Sequence, residues 1–121
     1  MYGRDFPDVP LHTWNGYSIG HYEGDTLVIE TRDVIGWESE NNQRWLERLG
    51  HPFSDEVRII ERIRRIDAGN LEITVTIEDP VAYEEPMTGS LMFRVREVEL
   101  AELICSELMM SELPEMRPGQ D

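Results

Sequence analysis

Along most of this chain, apolar and polar positions alternate in short runs punctuated by Gly, Asp and Asn. The clearest run starts at Leu71: Leu71, Ile73, Val75 and Ile77 alternate with Glu72, Thr74, Thr76 and Glu78. A period of two puts one apolar and one polar face on a strand. The preceding VRIIERIRRID is its hairpin partner. With Ala68-Gly69-Asn70 as a three-residue loop and Asn70 left-handed, Asp67 pairs with Leu71. That register turns Val57, Ile59, Glu61 and Ile63 inward and Arg62 and Arg64 outward; the opposite parity buries two arginines instead of one carboxylate.

The segment GYSIGHYEGDTLVIET predicts a second hairpin, with strands at 17–23 and 26–33. A two-residue Gly24-Asp25 loop suits a type II′ turn. It sets Tyr22 opposite Leu27, His21 opposite Val28 and Ile19 opposite Glu30, leaving His21 and Glu30 as diagonal neighbours on one face. Further along, SLMFRVREV and LAELICSEL predict two more strands, with Leu91, Phe93, Val95, Leu103 and Cys105 inward.

One stretch breaks the alternation. In ESENNQRWLERLG, Trp45, Leu46 and Leu49 fall at helical spacing, with Ser39 as N-cap and Gly50 just past the end. The pattern predicts an amphipathic helix over 38–49 lying on the sheet or across its mouth. Fold class is therefore mainly β (α+β): one domain over 1–121, an antiparallel meander forming a partial or open barrel with one helix. A partial barrel leaves unpaired edges, so completion by homo-oligomerisation, as a dimer or higher, is expected.

Composition narrows the partners. With 11 basic against 25 acidic residues the net charge is −14, which repels phosphate backbones and anionic membranes. Nucleic acid and membrane partners are not expected. No apolar run approaches the length of a membrane span, and MYGRDFPDVP lacks the apolar stretch of a signal peptide, so a cytoplasmic location is expected. The single Cys105 has no second cysteine for an internal disulfide and reads as a small buried side chain. His12, His21 and His51 lack metal-ligand spacing, so neither a metal nor any other cofactor is expected.

HTWNGYSIGHYEGDTLVIET, WLERLGHPFSDEVRIIERIRRID and LEITVTIEDPVAY together resemble a widespread family of uncharacterised bacterial proteins. The similarity runs from about His12 to Glu107, and its usual forms carry TWMGYSIGRWEGDTLVVET, GHPHS, ERFRR and TIDDPKAY. The YEGDTLVIE hairpin also resembles those of calycins, the lipocalin and fatty-acid-binding barrels. Longer members of the bacterial family carry extra strands ahead of the TW segment. The resemblance thus implies a calycin-like barrel lacking part of its wall, completed by another copy.

Candidate chemistry lies on the inner face. The expected registers set Glu61 beside Ile77 and Asp79 opposite Ile59, making the two carboxylates diagonal neighbours, with Glu107 sharing the parity of Leu103 and Cys105. Carboxylates crowded in an apolar lining resist ionisation, which is how a general acid or base working near neutral pH is made. More simply, and in preference to that chemistry, Glu61 pairs with an arginine and Asp79 caps the turn before Pro80. His51 follows the helix on a loop, as a proton donor or as a cationic partner for the helix dipole. Trp14, Trp37 and Trp45 flank the hairpin and helix as pocket lining or as plain core. His21 with Glu30 reads as a surface pair. Ser18 in GYSIG sits within a strand, not on a nucleophile elbow.

The leading expectation is a β cup binding a small apolar or amphipathic molecule, with Tyr17, Trp45, Tyr83, Phe93 and Glu107 as ligand contacts. An alternative is a cofactor-independent isomerase, lyase or hydrolase using Glu61 or Asp79 as base and His51 as proton donor. A third is an acidic assembly protein working through its sheet edges.

Overall fold

A computed structural model describes residues 4–37 and 45–102. Five antiparallel strands form one open sheet in chain order: β1 (Tyr17–Glu23), β2 (Thr26–Arg32), β3 (Arg58–Asp67), β4 (Asn70–Glu78) and β5 (Met87–Arg94). β1 and β5 are its edges, and the sheet does not close into a barrel. The described residues contain no helix. Among them no helix is long and apolar enough to cross a membrane.

The β1–β2 hairpin has the register its alternation dictates: Tyr22 opposite Leu27, His21 opposite Val28, Ile19 opposite Glu30. Gly24 takes φ +63° while Asp25 keeps a negative φ, the II′ combination that matches strand twist. β2 ends one residue sooner than the pattern suggested. Asp33 turns left-handed at φ 59°, a conformation that its short polar side chain tolerates.

β3 and β4 keep the expected parity but not the expected register. Asp67 pairs with Asn70 across a two-residue Ala68-Gly69 turn, and Ile66 bulges out between Arg65 and Asp67. The Asp67 carboxylate drives this choice. It accepts from the Gly69 amide at 2.8 Å and the Asn70 side-chain amide at 2.9 Å, folding the loop tighter than three residues allow. Pairing therefore slides by two: Ile59 meets Ile77, Glu61 meets Val75 and Ile63 meets Ile73. A two-residue slide leaves every side chain on its face.

The two faces differ sharply. One carries Leu27, Ile29, Ile59, Ile63, Leu71, Ile73, Val75, Ile77, Leu91 and Phe93, with Glu61 in their midst and Arg65 at the far end, opposite Leu71. The other is a charged ladder. Arg58 donates to Glu30 at 2.5 and 3.1 Å and to Glu78 at 2.9 Å, and Arg32 donates to Glu30 at 2.5 Å. Arg62 pairs with Glu23. Arg62 and Arg64 thus point outward, as the parity argument required.

The expected helix falls partly outside the described residues (38–44); its described end, from Trp45 to Gly50, is bend and turn. Glu47 explains the departure. Its carboxylate takes the Leu49 amide at 2.7 Å and the His51 amide at 3.2 Å, while Leu46 N–H donates to the His51 carbonyl at 2.8 Å. These bonds close a loop that helical geometry would open. Gly50 is left-handed as expected, at φ +87°, but it ends this turn instead of a helix. LAELICSEL lies mostly outside the described residues, Leu103 and Cys105 included, and the described residues 95–102 form no strand.

Burial is concentrated at one end of the sheet. Val34, Phe53 and Val57 form the core, with Leu46, Ile59 and Ile77 packed against it. Connecting segments thus fold over the apolar face where β3 begins and β4 ends. The far half of that face has no second layer among the described residues, with Leu91 55% and Phe93 48% exposed.

Candidate functional site

The capped end of the sheet is held by one buried carboxylate. Asp79 follows β4 directly and is 3% exposed; Ser54, in the β2–β3 connection, is fully buried. Asp79 accepts from the Ser54 amide at 2.6 Å and the Ser54 hydroxyl at 2.7 Å. It also accepts from the Val81 and Ala82 amides at 3.2 and 3.1 Å. Four donors satisfy a buried carboxylate that would otherwise be costly. Nearby, Tyr83 donates its hydroxyl to the Pro52 carbonyl at 2.7 Å, tying the β4–β5 connection to the same loop. Burial, with the neighbouring Asp79 carboxylate, pushes the Tyr83 phenol above its ordinary range.

Asp79 therefore does not stand opposite Ile59, a place that Ile77 occupies. Glu61 lies opposite Val75, four residues back along β4, or about 13 Å at strand rise. The two carboxylates are not diagonal neighbours. Asp79 caps the turn, and Glu61 is half-buried among Ile29, Val75 and the flanking Ile59 and Ile63.

His51 is exposed, with its Nδ1 against Glu47. The Leu49 amide and the His51 ring together hold the Glu47 carboxyl below the usual range. Trp45 is exposed in the same turn. Tyr17 sits on the charged face, opposite Arg32, its ring tilted against Phe6 at 6.1 Å. It thus shares no face with Glu61. Phe93 does share that face, opposite Leu71. Glu107 lies outside the described residues. His21 pairs with Glu23 at 3.1 Å, not with Glu30, so it is a surface pair with a different partner. Among the described residues no group of three His, Cys, Asp or Glu side chains could hold a metal.

From the edge of the covered end outward, a trough of about 430 Å³ runs between β4 and β5 on the apolar face. Its walls are Val75, Ile77, Met87, Leu91 and the backbone at Gly89. Gly89 matters because nothing lies within 4 Å of where its Cβ would be, so the floor is open there. Val75 is the cross-strand neighbour of both Gly89 and Glu61, which places the lone carboxylate beside the trough. Strand parity had put Val75 and Leu91 on this face, but the gap over Gly89 left no trace in the alternation. A second, more polar groove lies between Pro10, His12, Asp33, Asp55 and Arg58. There Asp55 accepts from the Gly36 amide at 2.5 Å, and Arg58 is engaged with Glu30 and Glu78.

No family model, curated protein or solved structure matches the chain.

Proposed function

We propose that the sheet binds a small apolar or amphipathic molecule in the β4–β5 trough. The apolar part lies on Val75, Ile77, Met87 and Leu91, and a hydrogen-bond-donating or cationic end reaches Glu61. The supporting observation is an aliphatic trough of about 430 Å³ with one ionisable group at its side. Small-molecule sites have this make-up: mostly apolar walls, a few polar groups and volumes of roughly 300–1,000 Å³. Sheets normally bury an aliphatic face against another layer, so a ligand here covers area that otherwise costs free energy. Proton-transfer catalysis has less support, because Asp79 is taken up by four donors and His51 by Glu47.

Gly89→Leu tests the reading. Its side chain projects into open space, so the apo protein keeps or raises its melting temperature, since Gly weakens a strand interior. Long-chain amines and alcohols should raise the melting temperature of the parent protein by mass action and leave Gly89→Leu unmoved. Equal stabilisation of both proteins refutes the site. Glu61→Gln should weaken amine binding selectively and leave alcohol binding unchanged.

A further inference from the structure

We propose that β5 is a self-association edge, to which a second copy of this chain adds its own β5 antiparallel about a two-fold axis at Ser90. The inference stands on the edge and does not need the ligand.

β5 is the terminal strand, and all eight of its residues are exposed. Its outer backbone N–H and C=O groups have no neighbouring strand among the described residues. Protein sheets guard such edges with charge, proline, bulges or a covering segment. β5 reads MTGSLMFR, uncharged until Arg94, in a chain with 30% charged residues. The opposite edge is guarded: β1 carries His21 and Glu23, the latter paired with Arg62. The described residues beyond β5, 95–102, do not cover it, since Val98 and Leu100 are 68% and 98% exposed.

The flanks identify the partner. Glu84, Glu85 and Pro86 precede β5, and Arg94, Val95 and Arg96 close it. Antiparallel pairing with Ser90 opposite itself sets Met87 against Phe93 of the second copy, Gly89 against Leu91, and Glu84 against Arg96. A parallel pair would set like charge on like, which costs free energy. Shifting the antiparallel register by one residue would place one copy's apolar face on the other's charged face. The Ser90 register alone matches acidic flank to basic flank, aligns the two apolar faces and pairs the whole uncharged stretch. It also brings the two troughs side by side across the axis, because Met87, Gly89, Ser90 and Leu91 line each one.

Directly opposed residues of an antiparallel pair have Cα atoms about 4.5–5.5 Å apart, within disulfide reach. The experiment is air oxidation of ligand-free Ser90→Cys and Thr88→Cys, each in a Cys105→Ala background. A thiol-reversible dimer should form from Ser90→Cys. Thr88→Cys should stay unlinked, because two residue-88 positions lie about 13 Å apart in this register. Sedimentation of the parent protein should give a dimer. Glu84→Arg with Glu85→Arg should weaken it at least about tenfold, and adding Arg94→Glu and Arg96→Glu should restore it. A monomer at high micromolar concentration overturns the proposal. So does a dimer in which the two cysteine variants cross-link equally.

Discussion

Ser54→Ala removes one hydroxyl from a site with no solvent and almost no change in volume, so its effect reads out a single bond. The hydroxyl donates to Asp79 at 2.7 Å and accepts the Glu56 amide at 3.1 Å. A hydrogen bond to a charged group contributes about 1.5–3 kcal/mol, and about 2 kcal/mol is the expected loss. Asp79→Ala should cost more. It strips the acceptor from four donors and leaves the Ser54 amide and hydroxyl buried without it, an effect on the order of 3–5 kcal/mol. The double variant should lose no more than Asp79→Ala alone, giving a coupling of about 2 kcal/mol. Urea unfolding is the assay. With a slope of about 1–2 kcal/mol/M, the midpoint of Ser54→Ala should fall by roughly 1–2 M at unchanged slope. If Asp79→Ala lies within about 0.5 kcal/mol of the parent, the carboxylate does not hold the capped end together and the assignment fails.

Further outcomes follow from other parts of the sheet. A Cβ at Gly36 would meet the Ser54 and Asp55 backbone at 2.2–2.7 Å, so Gly36→Ala should destabilise by about 3 kcal/mol, checked by the same urea titration. Arg58, hydrogen-bonded to Glu30, together with Arg32, holds the Glu30 carboxyl below its ordinary 4.5. A depressed carboxylate contributes stability above its unfolded pKa and loses it as pH falls through the folded value. Unfolding free energy should therefore drop below about pH 4.5, and Arg58→Met should flatten that drop while costing about 1 kcal/mol at neutral pH. Ile66→Thr should change stability by less than about 0.5 kcal/mol, because the bulge holds Ile66 out of the apolar face; a larger loss would restore the unbulged register.

What could be read from the residues follows the range of the interactions. The β1–β2 hairpin was legible in turn, register and faces, missing only the left-handed Asp33 that ends β2 one residue early, since Gly24-Asp25 sets the turn and two-residue alternation sets the faces. Parity in β4 was legible too, because Leu71, Ile73, Val75 and Ile77 leave no choice, and in β3, where Ile59 and Ile60 compete, the cost of burying Arg62 and Arg64 decided it. Their register was not, since it turned on whether the Asp67 side chain would fold the loop by one residue more. The helix pattern at Trp45, Leu46 and Leu49 misled for a similar reason: Glu47 satisfies the local amides in a turn. The pairing of Ser54 with Asp79 spans 25 residues and leaves no periodic mark. Glu61 was placed on the right face, but Asp79, its expected neighbour, lies about 13 Å away along β4 and caps the turn instead.

The charged ladder has a further consequence for handling in acid. Arg32, Arg58 and Arg62 are held there against Glu23, Glu30 and Glu78, leaving colloidal repulsion to the surplus of carboxylates elsewhere. That surplus vanishes near the isoelectric point of about 4.5, while the Glu30 carboxyl, held lower by Arg58 and Arg32, keeps its pairing until the pH falls further. Solubility then fails ahead of the fold. Acidified samples should scatter light before they finish unfolding, and should not return to clear solution when neutralised.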